Sequence, residues 1–282
     1  MIRDSNFIRR AQIYLSPYSS PDFMIIGAAK SGTTSLFHYL AQHPEILAAK
    51  QKEPAYFDWH YNKGLKWYLS QFPLKKKKKS KLTFEATPSY LLKEEIPLKI
   101  NKLYPKMKFI IILRNPIERA YSQWNFFHNS NFVQGKEMYD SRSFENAIKS
   151  ELKGLPLPFY WQYLKTGLYA EQIKRWYKLF SPSSFLILNF EELKDNPKNL
   201  LQQCTQFLNV SEFYQDFVKS DDAIPNLHKT AKYENRKLRI HNYNNYNRNI
   251  NARIYEQLED YYDQPNKDLS KLIDINFSWL DS

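Results

Sequence analysis

Residues 22–40 read DFMIIGAAKSGTTSLFHYL, and three kinds of segment follow one another within them. Phe23-Met24-Ile25-Ile26 is a continuous apolar run, which predicts a strand buried on both faces rather than one with a wet side. From Thr33 onward, Leu36 and Leu40 fall at helical spacing. Between the two lies Gly27-Ala28-Ala29-Lys30-Ser31-Gly32. In the order strand, loop, helix, the loop's backbone N–H groups and the helix N-terminus form a seat for a phosphate or a similar anion. The whole chain has six glycines, so two of them in this one loop mark backbone positions that a side chain would spoil. In a nucleoside-triphosphate loop, G-x-x-x-x-G-K-[ST], the lysine follows the second glycine. Here Lys30 precedes Gly32 and Thr33-Thr34 follow it, so the order fits an ATP or GTP site poorly although the physics of anion capture is the same.

The alternation continues outward from this segment. Leu82 to Ala86 predicts a second strand, stopped by Thr87-Pro88, and Lys108 to Leu113, the most apolar segment of the chain, predicts a third. Ile96 to Tyr104 reads as the crossover helix between them, and Ile117 to Phe127 as the helix that follows. Phe185 to Leu188 predicts a fourth strand, followed by a helix from Pro197 to Leu208 with its proline in the tolerated first turn. Phe144 to Leu152 is helical in pattern, Gly154 to Pro158 loop-like, and Arg253–Tyr262 and Lys267–Ile275 read as two closing helices. Strands alternating with helices predict a single α/β domain with a central, mainly parallel sheet flanked by helices, over residues 22–282, preceded by an N-terminal extension at 1–21.

Composition narrows the classes of function. No run of about 18 apolar residues occurs, and Arg3, Arg9 and Arg10 precede no apolar stretch of signal-peptide length, so the chain reads as soluble, without a transmembrane segment, and cytoplasmic. A single cysteine, Cys204, excludes an intrachain disulfide and a thiolate-built zinc site. The net charge of +12 favours an anionic small ligand or a polyanion. Part of that excess is Lys75 to Lys79 with Lys81, a run that reads as a solvated loop. The stretch HNYNNYNRNIN at 241–251 reads as a polar surface loop.

A second constellation follows the most apolar strand, Leu113-Arg114-Asn115-Pro116-Ile117-Glu118-Arg119-Ala120-Tyr121-Ser122. Arg114 at a strand end and Ser122 on the next helix can converge on one anion, the arginine as a planar fork and the serine as a hydroxyl donor. The alternative is that Arg114 pairs with Glu118.

Together these residues resemble a known family. G-x-x-K-S-G-T-T-S-L, as it stands at Gly27 to Leu36, resembles the 5′-phosphosulfate-binding loop of the sulfotransferases that use 3′-phosphoadenosine 5′-phosphosulfate (PAPS). R-x-P-x-x-R-x-x-S, at Arg114 to Ser122, is similar to their 3′-phosphate site. The resemblance implies a P-loop-like sulfotransferase fold, PAPS as sulfuryl donor with the bisphosphate PAP as product, and no metal. It implies donor contacts from Lys30, Ser31, Gly32, Thr33, Thr34, Ser35, Arg114 and Ser122. A fixed cation such as Lys30 suits that chemistry, because sulfuryl transfer leaves negative charge on the bridging oxygen.

Lys52-Glu53-Pro54-Ala55-Tyr56-Phe57-Asp58-Trp59 and Gly64 to Pro73 resemble the heparan sulfate N- and 3-O-sulfotransferase branch. That resemblance implies that Glu53 is the base that deprotonates the acceptor. Without it, Glu53 beside Lys50 and Lys52 reads as a surface ion pair. Phe84 to Tyr90 resembles the E-x-T-P-x-Y segment near the active site, and similarity runs from about Phe23 to Trp279. Where animal 3-O-type enzymes carry a lysine that grips the acidic sugar, Ala86 stands here, which argues against heparan sulfate itself. The late K-G-R loop has no glycine counterpart, since no glycine follows Gly167; Lys229, Lys232, Arg236 and Lys237 are the candidates to replace it.

The expected acceptor is a saccharide, a glycolipid or a small hydroxylated metabolite, modified at a hydroxyl or an amine. No specific nucleic acid is expected, and the sequence is silent on oligomeric state. Two alternatives stand beside this reading. One is a basic module that binds polyanions or nucleic acid through its lysines and aromatics; the other is a nucleotide kinase. Tyr56, Phe57, Trp59, Trp124 and Phe126 are candidates either for a sugar site or for the core.

Overall fold

A computed structural model describes residues 5–129, 136–213, 250–275 and 277–280. Five strands form one sheet: β1 (Phe23–Gly27), β2 (Ile46–Ala48), β3 (Leu82–Ala86), β4 (Lys108–Leu113) and β5 (Phe185–Asn189), in the order β2-β3-β1-β4-β5. Every pairing is parallel, from Phe23 against Phe84 on one side to Leu113 against Asn189 on the other.

The sheet is parallel because its strands are apolar on both faces and need cover on both. Met24, Ile26, Phe109, Ile111 and Leu113 face one core, packed with Tyr68, Ile100, Ile173 and Trp176. Phe23, Ile25, Ile110 and Ile112 face the other, packed with Leu36, Leu40, Leu200 and Cys204. All five residues of β1 are buried, as continuous apolarity requires.

The covering helices include α2 (Thr33–Ala41), α5 (Ile96–Leu103), α8 (Tyr169–Tyr177) and α10 (Pro197–Leu208). Helix α6 (Pro116–His128) begins under an Asn115 side chain that accepts from the amides of Ile117 and Glu118, with Pro116 in the first turn. It packs with α7 (Phe144–Leu152) in a third apolar cluster built on Ile117, Ala120, Ile148 and Tyr163.

Two sequence expectations are corrected. The closing segment is one helix, α11 (Ala252–Ile273), running through Pro265. Its buried residues Ile254, Leu258, Tyr262, Asn266, Leu269 and Ile273 keep one stripe in register across the proline, and the packing of that stripe overrides a local cost of about 3 kcal/mol. The lysine run is not a loop: Lys75–Lys78 form a short helix, α4. Lys75 Nζ donates to the carbonyls of Ile13 (3.1 Å) and Tyr14 (2.6 Å) at the end of α1 (Ser5–Leu15), where a cation is favoured, and Lys78 pairs with Asp22 at 2.6 Å. Helix α1 lies against the body of the domain, with Ile13 packed on the first core and Arg9 donating to the Tyr61 hydroxyl. Among the described residues, no helix is long and apolar enough to cross a membrane.

Candidate active site

Strand β1 has β3 on one side and β4 on the other, so the chain reverses its direction of travel across the sheet at β1. Ligands of open parallel sheets bind outside the carboxyl ends of the strands at such a point. The candidate residues gather there. Gly27 ends β1, Ala86 ends β3, and Arg114 follows the last residue of β4.

The loop after β1 is tightly built. Ala28 N–H donates to the Ile112 carbonyl at 2.8 Å, and Ser31 N–H to Ala28 at 3.2 Å. Gly32 sits at the N-cap of α2 with φ +85°, and a Cβ there would meet Leu193 Cδ2 at 2.7 Å. A glycine therefore meets both a backbone need and a space need. Gly32 brings no side-chain cap to α2, and no acidic residue stands in the first turn, which leaves the N-terminal end of the helix in the state an anion seat requires.

Lys30 also has a left-handed backbone, φ +68°, and its ammonium lies over the Phe126 ring at 4.4 Å. Burial, together with the positive charges of Arg114 and Lys52, pulls its pKa down to about 8, with Glu53 opposing. Thr34 is exposed and Ser35 half-buried, while the Ser31 and Thr33 side chains are buried. With both side chains buried and the Ser31 amide already donating to Ala28, these two residues offer no hydroxyl to solvent, unlike Thr34 and Ser35.

Arg114 is 2% exposed. Its Nε and Nη2 donate to Glu118 Oε2 at 3.2 and 3.0 Å, and its Nη1 to the Lys30 carbonyl at 3.4 Å. The ion pair with Glu118 is therefore present, and it coexists with a link to the loop of Lys30. Ser122 lies one turn beyond Glu118 on the same face of α6 and is buried.

Glu53 is docked on the end of β3, its N–H donating to the Ala86 carbonyl at 3.0 Å. Its side chain is half-exposed and pairs with Lys52, as the simple ion-pair reading expects. Its backbone is left-handed, φ +61°, and so is that of Ala55, φ +50°. Residues held in this region cluster at sites where surrounding structure over-determines them. The charges of Lys52 and Glu53 both act on Lys30, the first lowering its pKa and the second raising it.

Of the aromatic candidates, Tyr56 and Phe57 are core, Trp59 is exposed, and Phe126 lies against Lys30. Of the two lysines the sequence reading put beside Glu53, the pair is made by Lys52. The sequence reading missed the carboxyl of Glu85, which is wholly buried beneath Ala86; the signal available was its place in the Glu85-Ala86-Thr87-Pro88 segment. Lys229, Lys232, Arg236 and Lys237, and most of the 241–251 stretch, lie outside the described residues.

A parallel sheet with a glycine-bearing loop leading into a helix at its switch point is the frame of a protein that binds a phosphate-bearing ligand. The family model for the sulfotransferase domain matches residues 20–265, and the chain belongs to that family. It is 30% identical over 196 residues to human heparan sulfate glucosamine 3-O-sulfotransferase 6, covering 70% of this chain and 54% of that protein. It is 32% identical over 202 residues to human bifunctional heparan sulfate N-deacetylase/N-sulfotransferase 3, covering 69% and 23%. The chain thus spans about half the length of the first relative and less of the second. A sulfotransferase from Alicyclobacillus acidocaldarius has the same fold, with a TM-score of 0.71 at 24% identity over 94% of this chain and all of that one.

Proposed function

We propose that the protein transfers a sulfuryl group from PAPS to a hydroxyl or amine of a saccharide acceptor. The observation that carries this reading is the convergence of Lys30, Arg114 and the open N-terminus of α2 at the ends of β1 and β4, in a chain of the sulfotransferase family.

The residues present fit the donor. Gly32 leaves the helix amides open to a 5′-phosphate, and Thr34 and Ser35 add hydroxyls at the same end. Arg114 and Ser122 supply the fork and hydroxyl for a second phosphate, with Glu118 holding the arginine in place. PAPS supplies an activated sulfuryl group whose release leaves negative charge on a phosphate oxygen.

Lys30 meets that charge with an ammonium already stripped of much of its water, so little reorganisation is needed as the charge develops. Glu53 takes the proton of the attacking hydroxyl or amine, and Lys52 fixes its carboxylate. Acceptor oxygen or nitrogen gains the S–O or S–N bond as the donor S–O bond breaks, and the proton ends on Glu53. The similarity to heparan sulfate enzymes favours a glucosamine-containing acceptor, whereas Ala86 lacks the cation expected for an acidic one.

The test is transfer of radiolabelled sulfuryl from PAPS to N-deacetylated heparan sulfate, to de-O-sulfated heparan sulfate and to neutral glucosamine oligosaccharides. Label in any of these supports the reading. Failure of the protein to bind PAPS at all would overturn it.

A further inference from the structure

A carboxyl group lies wholly inside the protein under the segment that carries Glu53. Glu85, on β3, is 0% exposed, and a carboxylate there is costly unless its oxygens are satisfied. Three hydroxyls do so. Tyr68 donates to Oε1 at 2.6 Å, Thr87 to Oε2 at 2.6 Å and Tyr90 to Oε1 at 3.4 Å. Packing alone is served as well by an apolar residue at such a position, so what the hydroxyls do next matters.

A hydroxyl has one proton and two lone pairs. With their protons committed to Glu85, Thr87 and Tyr90 turn lone pairs toward the neighbouring segment. The Ala55 amide donates to Thr87 Oγ1 at 3.4 Å and the Phe57 amide to the Tyr90 hydroxyl at 3.2 Å. The Glu53 amide donates to Ala86, the residue after Glu85, at 3.0 Å. Alternate amides of residues 53, 55 and 57 thus hang on one network, across the two left-handed residues Glu53 and Ala55.

We propose that Glu85 is the positioning residue for Glu53: by taking the protons of Thr87 and Tyr90 it makes both hydroxyls acceptors for the Ala55 and Phe57 amides, and so holds the Glu53 backbone in its left-handed form. This rests on the reading of Glu53 as the base. The network requires the ionised form of Glu85, because a protonated carboxyl is itself a donor and releases one hydroxyl to turn away. Burial raises the Glu85 pKa to about 7, opposed by its bonds from Thr87, Tyr68 and Tyr90, with the Asp58 charge adding to the rise. Tyr68, Tyr90, Tyr104 and Asp58 are the titratable groups that face it. Activity therefore rises with pH through about 7 as the network forms.

The test compares Thr87→Val, Thr87→Ser and Glu85→Gln, alone and with Glu53→Gln. Thr87→Val keeps shape and loses the hydroxyl. It is expected to lower kcat on N-deacetylated heparan sulfate about tenfold while leaving affinity for adenosine 3′,5′-bisphosphate within about twofold. Thr87→Ser restores kcat. In the Glu53→Gln background Thr87→Val has no further effect, since the two act as a unit. Glu85→Gln loses the rise of kcat through pH 7, and amide hydrogen exchange over residues 53–57 speeds up about tenfold or more. Unchanged exchange over 53–57 in both Glu85→Gln and Thr87→Val overturns the proposal, as does a Thr87→Val loss that multiplies with that of Glu53→Gln. A Glu53→Gln enzyme with full kcat, alongside faster exchange in Glu85→Gln, overturns the base reading and leaves the positioning of the segment standing.

Discussion

Arg114 donates to the backbone carbonyl of Lys30 at 3.4 Å, tying the residue after β4 to the loop after β1. The same guanidinium is forked onto Glu118. One planar group thus links the two loops proposed to seat the donor's phosphates, and the link needs its fork rather than only its charge. Arg114→Lys is expected to weaken adenosine 3′,5′-bisphosphate binding about tenfold or more while keeping the formal charge. Calorimetric titration measures this, and unchanged affinity would remove Arg114 from the donor site.

Lys30, with its pKa near 8, is only partly charged in the free protein at mildly basic pH. An anion beside it favours the charged form, so binding takes up protons. The sign follows: bisphosphate affinity rises as pH falls from about 9 toward 7, and uptake near pH 8 approaches about half a proton. Titration in two buffers of different ionisation enthalpy reads the uptake, which Lys30→Met is expected to abolish.

Glu53→Gln keeps the size of the side chain and removes the base. Turnover is expected to fall about a hundredfold or more, with bisphosphate affinity unchanged. Loss of donor affinity instead would make Glu53 a support for the loop of Lys30.

Glu85 gives a stability prediction independent of catalysis. Its pKa is raised from 4.5 to about 7, so between these values the folded protein keeps a proton that the unfolded chain has lost. Stability from this group is fully present below about pH 4.5 and is lost as pH rises through about 7, on the order of 3 kcal/mol in all. The melting temperature of the wild type is expected to fall between pH 5 and pH 8 relative to that of Glu85→Gln. Parallel curves for the two proteins would contradict the raised value.

The first strand, its loop and the helix after it were legible because each carries its own local signal: unbroken apolarity in Phe23–Ile26, glycines where the backbone turns, and helical spacing at Leu36 and Leu40. β2 was not, since Ile46-Leu47-Ala48 is too short for any period to show. The continuity of α11 was hidden by Pro265, whose local cost is outweighed by a buried stripe visible only once its partners are known. At the site, Lys30 and Arg114 were legible from motif and strand position. The ion pair of Glu53 was legible as one with Lys50 or Lys52, and the structure gives Lys52; Glu85 was not legible, because it acts through the hydroxyls of Tyr68, Thr87 and Tyr90 that the fold gathers around it.

Gly32→Ala is expected to destabilise the fold by about 1–3 kcal/mol, because the added Cβ meets Leu193 and Phe190 and the backbone stays left-handed. Thermal denaturation measures the loss. An alanine variant as stable as the wild type would mean that the loop can relax, and that its shape is not fixed by this glycine.

The central claim is the donor site, and the most direct measurement is a thermal-shift titration with adenosine 3′,5′-bisphosphate beside ATP and AMP. A ligand at 100 times its dissociation constant adds about 2.7 kcal/mol, which raises the midpoint of a chain this size by several degrees. Selective stabilisation by the bisphosphate, lost in Lys30→Met and Arg114→Lys, is the predicted result. No shift with the bisphosphate, or a larger one with ATP, would contradict the account.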